Sequence, residues 1–267
     1  MKSDTLETMK KRYRIKFPAS SSTRLGQDEV FFSLIENGEA RRLRFHDYAE
    51  IYKRPGLYEK IFYDRLKCNS PGKVADLLKR ALMTVREPVS ELRVLDLGAG
   101  NGMMGEVLKR DGVARLVGAD IIPEARDAAY RDRSEVYDDY YVADFRKLNS
   151  DMLEELREWS FDCLTCVAAL GFGDIPPRAF FNAMKLVRTD GWLAFNIKET
   201  FLDHTEHTGF SRLVRELIFS KYLDVYHLEL YRHRVSMEGT QLFYYALVGR
   251  MTASIPETFL EEHGIKD

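Results

Sequence analysis

The sequence contains the run VLDLGAGNGMMG at Val94–Gly105. Three apolar residues and an acid precede three glycines at alternate positions, and an amphipathic segment follows. The pattern predicts a buried strand, a tight glycine turn and the start of a helix. Because such a turn lets a ligand approach bare backbone amides, the run predicts a ligand-binding site.

A dinucleotide-binding pattern overlaps this run, since Gly100–Gly105 fits G-x-G-x-x-G. However, the apolar part of the strand stops at Leu97, so the turn begins at Gly98. In that register the third glycine of a dinucleotide turn should stand where the chain has Met103. A carboxylate at Asp96 would repel a pyrophosphate but attract a cation. The run therefore favours a ligand with a positive group and no phosphates, and a nicotinamide oxidoreductase is the disfavoured alternative.

Apolar runs and amphipathic segments alternate from residue 92 onward. This alternation predicts an α/β fold with a Rossmann-like, doubly wound sheet that is mostly parallel. Two final strand-like runs around a glycine-containing turn add a terminal antiparallel hairpin. The predicted strands span 92–97, 115–120, 137–142, 161–167, 191–198, 225–235 and 241–250, and the predicted helices span 102–111, 123–132, 150–158, 177–188 and 209–220.

The first 90 residues have a different pattern. Residues 1–26 are polar and predict a frayed tail. Asn37-Gly38 between two strand-like runs, 29–36 and 40–45, predicts a β-hairpin.

An aromatic segment over 46–64 follows, and Pro55-Gly56 breaks it into two predicted short helices. A third helix is expected over Lys73–Thr84. We therefore expect an N-terminal extension with a helical cap over 1–90, a main domain over 91–250 and a C-terminal tail over 251–267.

The glycine run resembles the first motif of the class I S-adenosylmethionine-dependent methyltransferases through Asp96–Gly102. Thr189-Asp190-Gly191 stands where that family usually has Pro-Gly-Gly, and it still makes a sound turn. The resemblance covers 91–250 and implies S-adenosylmethionine as cofactor, S-adenosylhomocysteine as product, and methyl transfer. Residues 169–207 also resemble the Williams-Beuren-region methyltransferase-like proteins. The later segments that resemble the strands of the family, in its order, are Leu116–Ile121, Tyr141–Phe145, Phe161–Val167 and Leu186–Phe195.

Several candidate cofactor residues lie at carboxyl ends of predicted parallel strands, which meet at one crevice. With the resemblance, these positions imply that Asp96 attracts the cationic methionine end of the cofactor, that Asp120 accepts from the ribose hydroxyls, and that Asp144 accepts from the adenine amino group. The alternative for each acid is a helix cap or a loop charge. The expected cofactor residues are Asp96, Gly98, Ala99, Gly100, Asn101, Gly102, Met103, Asp120, Ile121, Asp144, Phe145, Val167, Ala168 and Tyr52.

The N-terminal extension is expected to fold over the open end of the crevice, where its tyrosines could exclude water and contact the sulfonium. Tyr52 is the preferred cofactor contact, and packing of the helices on the domain is the alternative for each tyrosine. Alignment alone can drive methyl transfer, so no catalytic residue is assigned. If a base is needed, His46, His204 and His207 are candidates. The expected substrate residues are Tyr48, Tyr58, His46 and Phe172.

The composition limits which kinds of binding partner the sequence predicts. The formal net charge is −2 over 267 residues, and no basic excess indicates a nucleic-acid surface. The basic clusters at 41–44 and 232–234 are expected to be solvated strand faces, with a polyanion contact as the alternative. No apolar run reaches the length of a membrane span, and no signal peptide is evident, so a cytoplasmic protein is expected.

Two of the three cysteines, Cys163 and Cys166, form a C-x-x-C inside a predicted strand. Residues three apart on a strand point to opposite faces, so we expect two buried thiols and no metal site. The sequence as a whole predicts methyl transfer to a small-molecule acceptor. RNA or protein methylation and a non-catalytic cofactor-binding scaffold are the alternatives, and the oligomeric state is left open.

Overall fold

A computed structural model describes residues 13–18, 30–170, 174–202 and 209–266, without the side chains at 201 and 202. Its strands form two sheets, with orders β1-β2-β3 and β6-β5-β4-β7-β8-β10-β9. The strands are β1 (Arg14–Lys16), β2 (Phe31–Glu36), β3 (Glu39–Arg44), β4 (Arg93–Leu97), β5 (Arg115–Asp120), β6 (Asp139–Val142), β7 (Phe161–Cys166), β8 (Val187–Lys198), β9 (Leu223–Val235) and β10 (Gln241–Met251).

The large sheet is mixed, as the sequence predicts. Strands β6, β5, β4, β7 and β8 run parallel, and β10 pairs antiparallel with both β8 and β9. The strand order reverses between β4 and β7, which places a ligand crevice beyond the carboxyl ends of these strands. The predicted α/β fold class is confirmed.

Helices cover both faces of the large sheet and form part of the N-terminal extension. A π-helix (Lys60–Arg65) follows α2, and short 3₁₀ turns lie at Val89–Glu91 and Glu199–Leu202. The α-helices are α1 (Tyr48–Tyr52), α2 (Leu57–Glu59), α3 (Ser70–Val85), α4 (Met103–Asp111), α5 (Pro123–Asp132), α6 (Ser150–Glu158), α7 (Pro177–Met184), α8 (Gly209–Phe219) and α9 (Phe259–Glu262).

Two predicted boundaries are wrong. Helix α3 begins at Ser70 and not at Lys73, because Pro71 fits the first helical turn, where its missing N–H is not needed. Helix α7 ends at Met184, and β8 already begins at Val187. The expected turn at 189–191 is an irregularity inside β8, where Asp190 has a φ of +63° and the register with β7 shifts.

The sheet separates two apolar clusters. Leu95 and Leu97 face one cluster, with Phe180 and Phe195, while Val94 faces the other. Cys163 and Cys166 lie in opposite clusters and both are buried, which confirms the prediction from strand alternation.

The N-terminal extension has a core of its own. Phe32, Leu34, Ile51, Leu57 and Ile61 are all fully buried in it. The predicted hairpin is confirmed. The frayed tail is wrong for residues 14–16, which form β1 and pair antiparallel with β2.

Two further expectations about exposure differ from the structure. In the basic cluster at 232–234, Arg232 is exposed as expected. His233 is not, because it is buried on β9 and packs on Tyr244 with ring centroids 4.0 Å apart. The segment expected as a C-terminal tail contains α9. Ile255, Phe259 and Ile265 of that segment are buried in the larger apolar cluster. No helix in the described ranges is both long and apolar enough to cross a bilayer.

A buried ion pair joins the N-terminal extension to the main domain. Oε1 of Glu59, on α2, accepts from Nη1 of Arg133 at 2.7 Å and from Nδ2 of Asn101 at 2.9 Å. Both side chains of the pair are less than a tenth exposed. Arg133 also donates to Glu106 of α4 at 3.0 Å, so one guanidinium links the extension, the glycine turn and the following helix.

Removing one partner of this pair should destabilise the protein strongly. Glu59→Ala leaves a buried guanidinium without its main counter-ion, which costs roughly 3–5 kcal/mol of unfolding free energy. Urea denaturation measures this loss. The control is Asp127→Ala on α5, whose exposed pair with Arg126 should be worth less than about 1 kcal/mol because solvent screens it. Equal losses in the two variants would contradict the interpretation.

Candidate functional site

A cavity of about 580 Å³ lies beyond the carboxyl ends of β4, β5, β6 and β7, and the N-terminal extension covers it. It contains most of the predicted site residues. Asp96 and Gly102 are not on its wall, and Phe172, His204 and His207 lie outside the described residues. The predicted residues that line it are Gly98, Ala99, Gly100, Asn101, Met103, Asp120, Ile121, Asp144, Phe145, Val167, Ala168, Tyr52, Tyr48, Tyr58 and His46.

The glycine turn needs its glycines. Gly98, Gly100 and Gly102 have φ values of +68°, +55° and +90°, a region that side chains disfavour. A Cβ on Gly98 would stand 2.7 Å from Cβ of Ala169, and one on Gly100 would stand 2.5 Å from the hydroxyl of Tyr52. The turn therefore keeps its backbone open toward the cavity and close to the extension.

The apparent dinucleotide pattern has a packing explanation. A Cβ on Gly105 would lie 2.6 Å from the ring of Tyr137, and one on Gly118 would lie 2.6 Å from the ring of Tyr140. The third glycine of the pattern therefore makes room for an aromatic ring, which the sequence reasoning missed.

Tyr137 also contacts Asp96, which lies below the turn. Asp96 accepts from the hydroxyl of Tyr137 and from Oγ1 of Thr165, both at 2.7 Å, and it is 1% exposed. Burial raises its pKa to about 6, although these two hydrogen bonds act in the opposite direction. The carboxylate supports the floor of the site and does not face the cavity directly.

Asp120 does reach the wall and fixes the turn from the next strand. Its two oxygens accept from the backbone N–H groups of Gly100 and Ile122, each at 3.0 Å. Burial raises its pKa, and these backbone hydrogen bonds lower it in part. A carboxylate has about four acceptor positions, so Asp120 can still accept from a ligand.

Asp144 faces the cavity as half of an ion pair. Nη2 of Arg146 lies 2.7 Å from its carboxylate, and the hydrogen bonds from this guanidinium lower its pKa. The sequence reasoning missed Arg146, although an arginine two residues after a strand-end acid is a signal for such a pair. Phe145 is buried, and its carbonyl accepts from Asn182 at 2.7 Å.

A buried polar network holds the loop after β7. Ala168 has a φ of +59°, and its N–H donates to Oδ1 of Asn196 at 2.7 Å. Nδ2 of Asn196 donates to the hydroxyl of Tyr231 at 2.8 Å, and that hydroxyl donates to Ser70 at 2.6 Å. Sequence reasoning missed these residues. The one available signal was an asparagine in the otherwise apolar run of β8.

The N-terminal extension contributes aromatic side chains to the cavity wall. The rings of Tyr48 and Tyr52 stack with centroids 6.1 Å apart, and Tyr58 lies 5.2 Å from Tyr52. Tyr63 also lines the cavity and was not predicted. Burial raises the pKa of all four phenols, so they are neutral near pH 7.

The hydrogen bonds of Asn101 bear on whether the site fits a cofactor that has an ammonium group. Its Nδ2 donates to Glu59, but its buried Oδ1 has no hydrogen-bond partner among the described residues. A buried acceptor without a donor is costly, and an ammonium group from a ligand in the cavity would satisfy it. The wall and the orphaned oxygen therefore fit S-adenosylmethionine.

Comparison with known proteins agrees with this geometry. Residues 95–195 match a family described as a methyltransferase domain. The ubiquinone biosynthesis O-methyltransferase of Thiobacillus denitrificans is 25% identical over 150 residues, which is 56% of this chain and 62% of that protein. The Neisseria meningitidis protein of the same name is 29% identical over 106 residues, 39% of this chain and 43% of that protein. The chain thus covers less than two thirds of the length of these curated relatives.

Solved structures of low identity are also similar. Magnesium protoporphyrin IX methyltransferase of Synechocystis PCC 6803 aligns with a TM-score of 0.48 at 12% identity, covering 68% of this chain and 79% of that one. An S-adenosylmethionine-dependent methyltransferase of Mesorhizobium loti aligns with a TM-score of 0.45 at 15% identity, covering 65% and 97%. The family match covers less than half of the chain, and over residues 95–195 the chain is similar to methyltransferase domains.

Replacing Asp96 with asparagine should reduce the pH dependence of stability. The folded-state pKa of about 6 exceeds the unfolded value of about 3.9, so the folded protein holds this proton more tightly. The resulting stabilisation is complete below about pH 4 and is lost as the pH rises through about 6. The loss is roughly 3 kcal/mol for the wild type and absent for D96N.

Urea titrations at several pH values from about 4 to 7 measure this difference. The exposed Asp127 on α5 provides the control, because D127N should follow the wild-type curve. Parallel curves for D96N and the wild type would show that Asp96 is not titrating in this range.

Proposed function

We propose that this protein transfers a methyl group from S-adenosylmethionine to a small-molecule nucleophile. The observation that supports this most is the cavity itself. Open glycine backbone, Asp120 and Asn101 share one wall, and Oδ1 of Asn101 is a buried acceptor without a hydrogen-bond partner among the described residues. Such a wall suits a nucleoside with hydroxyl and ammonium donors.

Each wall residue then has a proposed part in binding. The carboxylate of Asp120 accepts from the ribose hydroxyls, and Asp144 accepts from the adenine amino group beside Phe145. Ile121 and Met103 pack on the nucleoside. The cofactor supplies a methyl group on a sulfonium, which is a good leaving group. The protein then has mainly to align the acceptor and exclude water, and alignment alone can contribute about 7–11 kcal/mol.

The shape of the site supports a small acceptor. The extension covers part of the cavity with aromatic side chains, whereas a long polyanion needs an open, basic groove. The named relatives belong to ubiquinone biosynthesis, which is consistent with a small acceptor. Methylation of RNA or protein stays the second candidate, and a non-catalytic scaffold would bind the cofactor without turnover.

Other sequence predictions stay proposals. The division into an extension over 1–90, a main domain over 91–250 and a segment over 251–267 is one of them. No relative described above supports the finer resemblance to the Williams-Beuren-region proteins.

Cofactor binding tests the proposal directly. S-adenosylmethionine and S-adenosylhomocysteine should each raise the melting temperature, whereas NADH should not. Asp120→Ala should weaken S-adenosylhomocysteine binding by about tenfold to a hundredfold, because hydrogen bonds to a charged group contribute roughly 1.5–3 kcal/mol. Calorimetry measures this effect, with D127A as the control. Stabilisation by NADH and not by S-adenosylmethionine would contradict the proposal.

Tyr52 should distinguish the charged cofactor from the neutral product. Tyr52→Ala removes a ring face next to the glycine turn, and Tyr52→Phe keeps it. A cation–π contact of about 1–2 kcal/mol predicts a loss of roughly five- to thirtyfold in S-adenosylmethionine affinity for the alanine variant. S-adenosylhomocysteine, which has no sulfonium, should lose less.

The control for Tyr52 is Tyr130→Ala on α5, because Tyr130 is exposed and does not line the cavity. Equal losses of the charged and neutral ligands in Y52A would rule out a sulfonium contact.

A further inference from the structure

The large sheet ends in a long edge strand. β9 is the last strand in the order of that sheet and has 13 residues. The N-terminal extension covers only the end of this edge. There the N–H of Asn69 donates to the carbonyl of His233 at 3.1 Å, and the N–H of Val235 donates to the carbonyl of Leu66 at 2.7 Å. Within the described ranges, the part of β9 before His233 has no strand partner on its outer side.

Exposed apolar side chains are concentrated at this edge. Seven large apolar side chains are exposed among the described residues, and four of them lie on β9 or at the end of α8, directly before it. Their exposed fractions are 77% for Phe219, 39% for Val225, 44% for Leu228 and 51% for Leu230. Contiguous exposed apolar surface marks an interaction site, and a long apolar edge strand is a template for pairing with another chain.

Three of these side chains lie on the same face of the sheet. Facing residues of an antiparallel ladder project to the same side, and alternate residues of one strand share a side. The residues that lie opposite Val225, Leu228 and Leu230 are Gly249, Leu247 and Tyr245 of β10, respectively. A bulge at Tyr226 lets Val225 stay on the side of the two leucines. We call Val225, Leu228 and Leu230 the apolar stripe.

The charges near the apolar stripe do not select an acidic or a basic partner. Glu229, between the two leucines, projects to the other face, where it pairs with Lys73 and lies 3.8 Å from Arg80. The stripe itself therefore offers apolar contact and open backbone hydrogen-bonding groups, which suit another strand with the same pattern.

We propose that this edge is a homodimer interface, in which β9 of a second copy pairs antiparallel with β9 about a two-fold axis at Leu228. The two large sheets then continue into each other, and the backbone groups of both edges gain partners. This inference does not rest on the methyl-transfer function, because none of the stripe residues lines the cavity.

The strand is complementary to itself in this arrangement. A two-fold axis sets each residue opposite one that is equally far from the axis on the other copy. Leu228 then faces Leu228 of the second copy, and the bulge brings Val225 of one copy next to Leu230 of the other. On the opposite face, Glu229 lies across from His227 of the second copy. An axis at Glu229 would instead set two like charges opposite each other, which is unfavourable.

The molecular mass in solution tests the interface. Size-exclusion chromatography with light scattering should give twice the mass of the chain for the wild type. Leu228→Lys sets two ammonium groups at the axis and should raise the dissociation constant of the dimer by at least about tenfold. Sedimentation velocity over about a hundredfold range of protein concentration measures this shift.

Met83→Lys is the matched control. Met83 lies on α3, away from the edge, and its side chain is 76% exposed, so the same substitution should leave the dissociation constant unchanged.

A cysteine at the axis tests the register and does not require that Leu228→Lys folds. In Leu228→Cys the two introduced thiols face each other across the axis, within reach of a disulfide. Mild oxidation should therefore convert the variant to a covalent dimer. Met83→Cys and the wild type, whose Cys163 and Cys166 are buried, should stay without a cross-link under the same conditions.

Two kinds of result would overturn the proposal. One is a wild-type monomer at every concentration. The other is a dimer that Leu228→Lys weakens no more than Met83→Lys, or that Leu228→Cys does not cross-link. These measurements use neither cofactor nor acceptor, so a failure here is distinct from a failure of the proposed function.

Discussion

The conformation of the glycine turn after β4 is the constraint on which the site depends. Its left-handed backbone is unfavourable for residues with side chains, so the rest of the protein has to hold it in place. Asp120 binds the N–H of Gly100 from one side, and Tyr140 donates to the carbonyl of Gly100 at 2.8 Å. Glu59 binds Asn101 from the extension. Three separate parts of the chain thus fix one short turn, which makes its surface rigid before any ligand arrives.

Several polar side chains are buried below the turn, although burying a polar group costs free energy unless it is hydrogen-bonded. Asp96 and Thr165 lie on adjacent strands, and Asn196 lies on the next strand, all almost fully buried. Each has hydrogen-bond partners, so the burial cost is largely offset. Satisfied networks of this kind restrict the alternative arrangements of a core. We infer that they hold the strand ends at fixed positions, since the loop at Ala168 depends directly on Asn196.

The sequence predicts much of this arrangement, because its main signals are local. Apolar runs locate the strands, and the carboxyl ends of parallel strands must share one edge, so the sequence alone places Asp120, Asp144 and Val167 together. The failures concern partners far apart in the chain. Whether Asp96 faces a ligand or the interior depends on Tyr137, which is 41 positions away, and Asp174, which contacts His46, is 128 positions away from it. Nothing local in the sequence indicates either pairing.

The extension has two roles that are physically coupled. Glu59 attaches it to the turn, and its tyrosines form part of the wall against which a cofactor would lie. A ligand that contacts both the turn and the tyrosines binds only when the extension is docked. By linkage, such a ligand stabilises the docked state by RT ln(1 + [L]/Kd), about 2.7 kcal/mol at a hundredfold excess over Kd. His46 belongs to the same extension and Asp174 to the main domain, so their contact also forms only on docking.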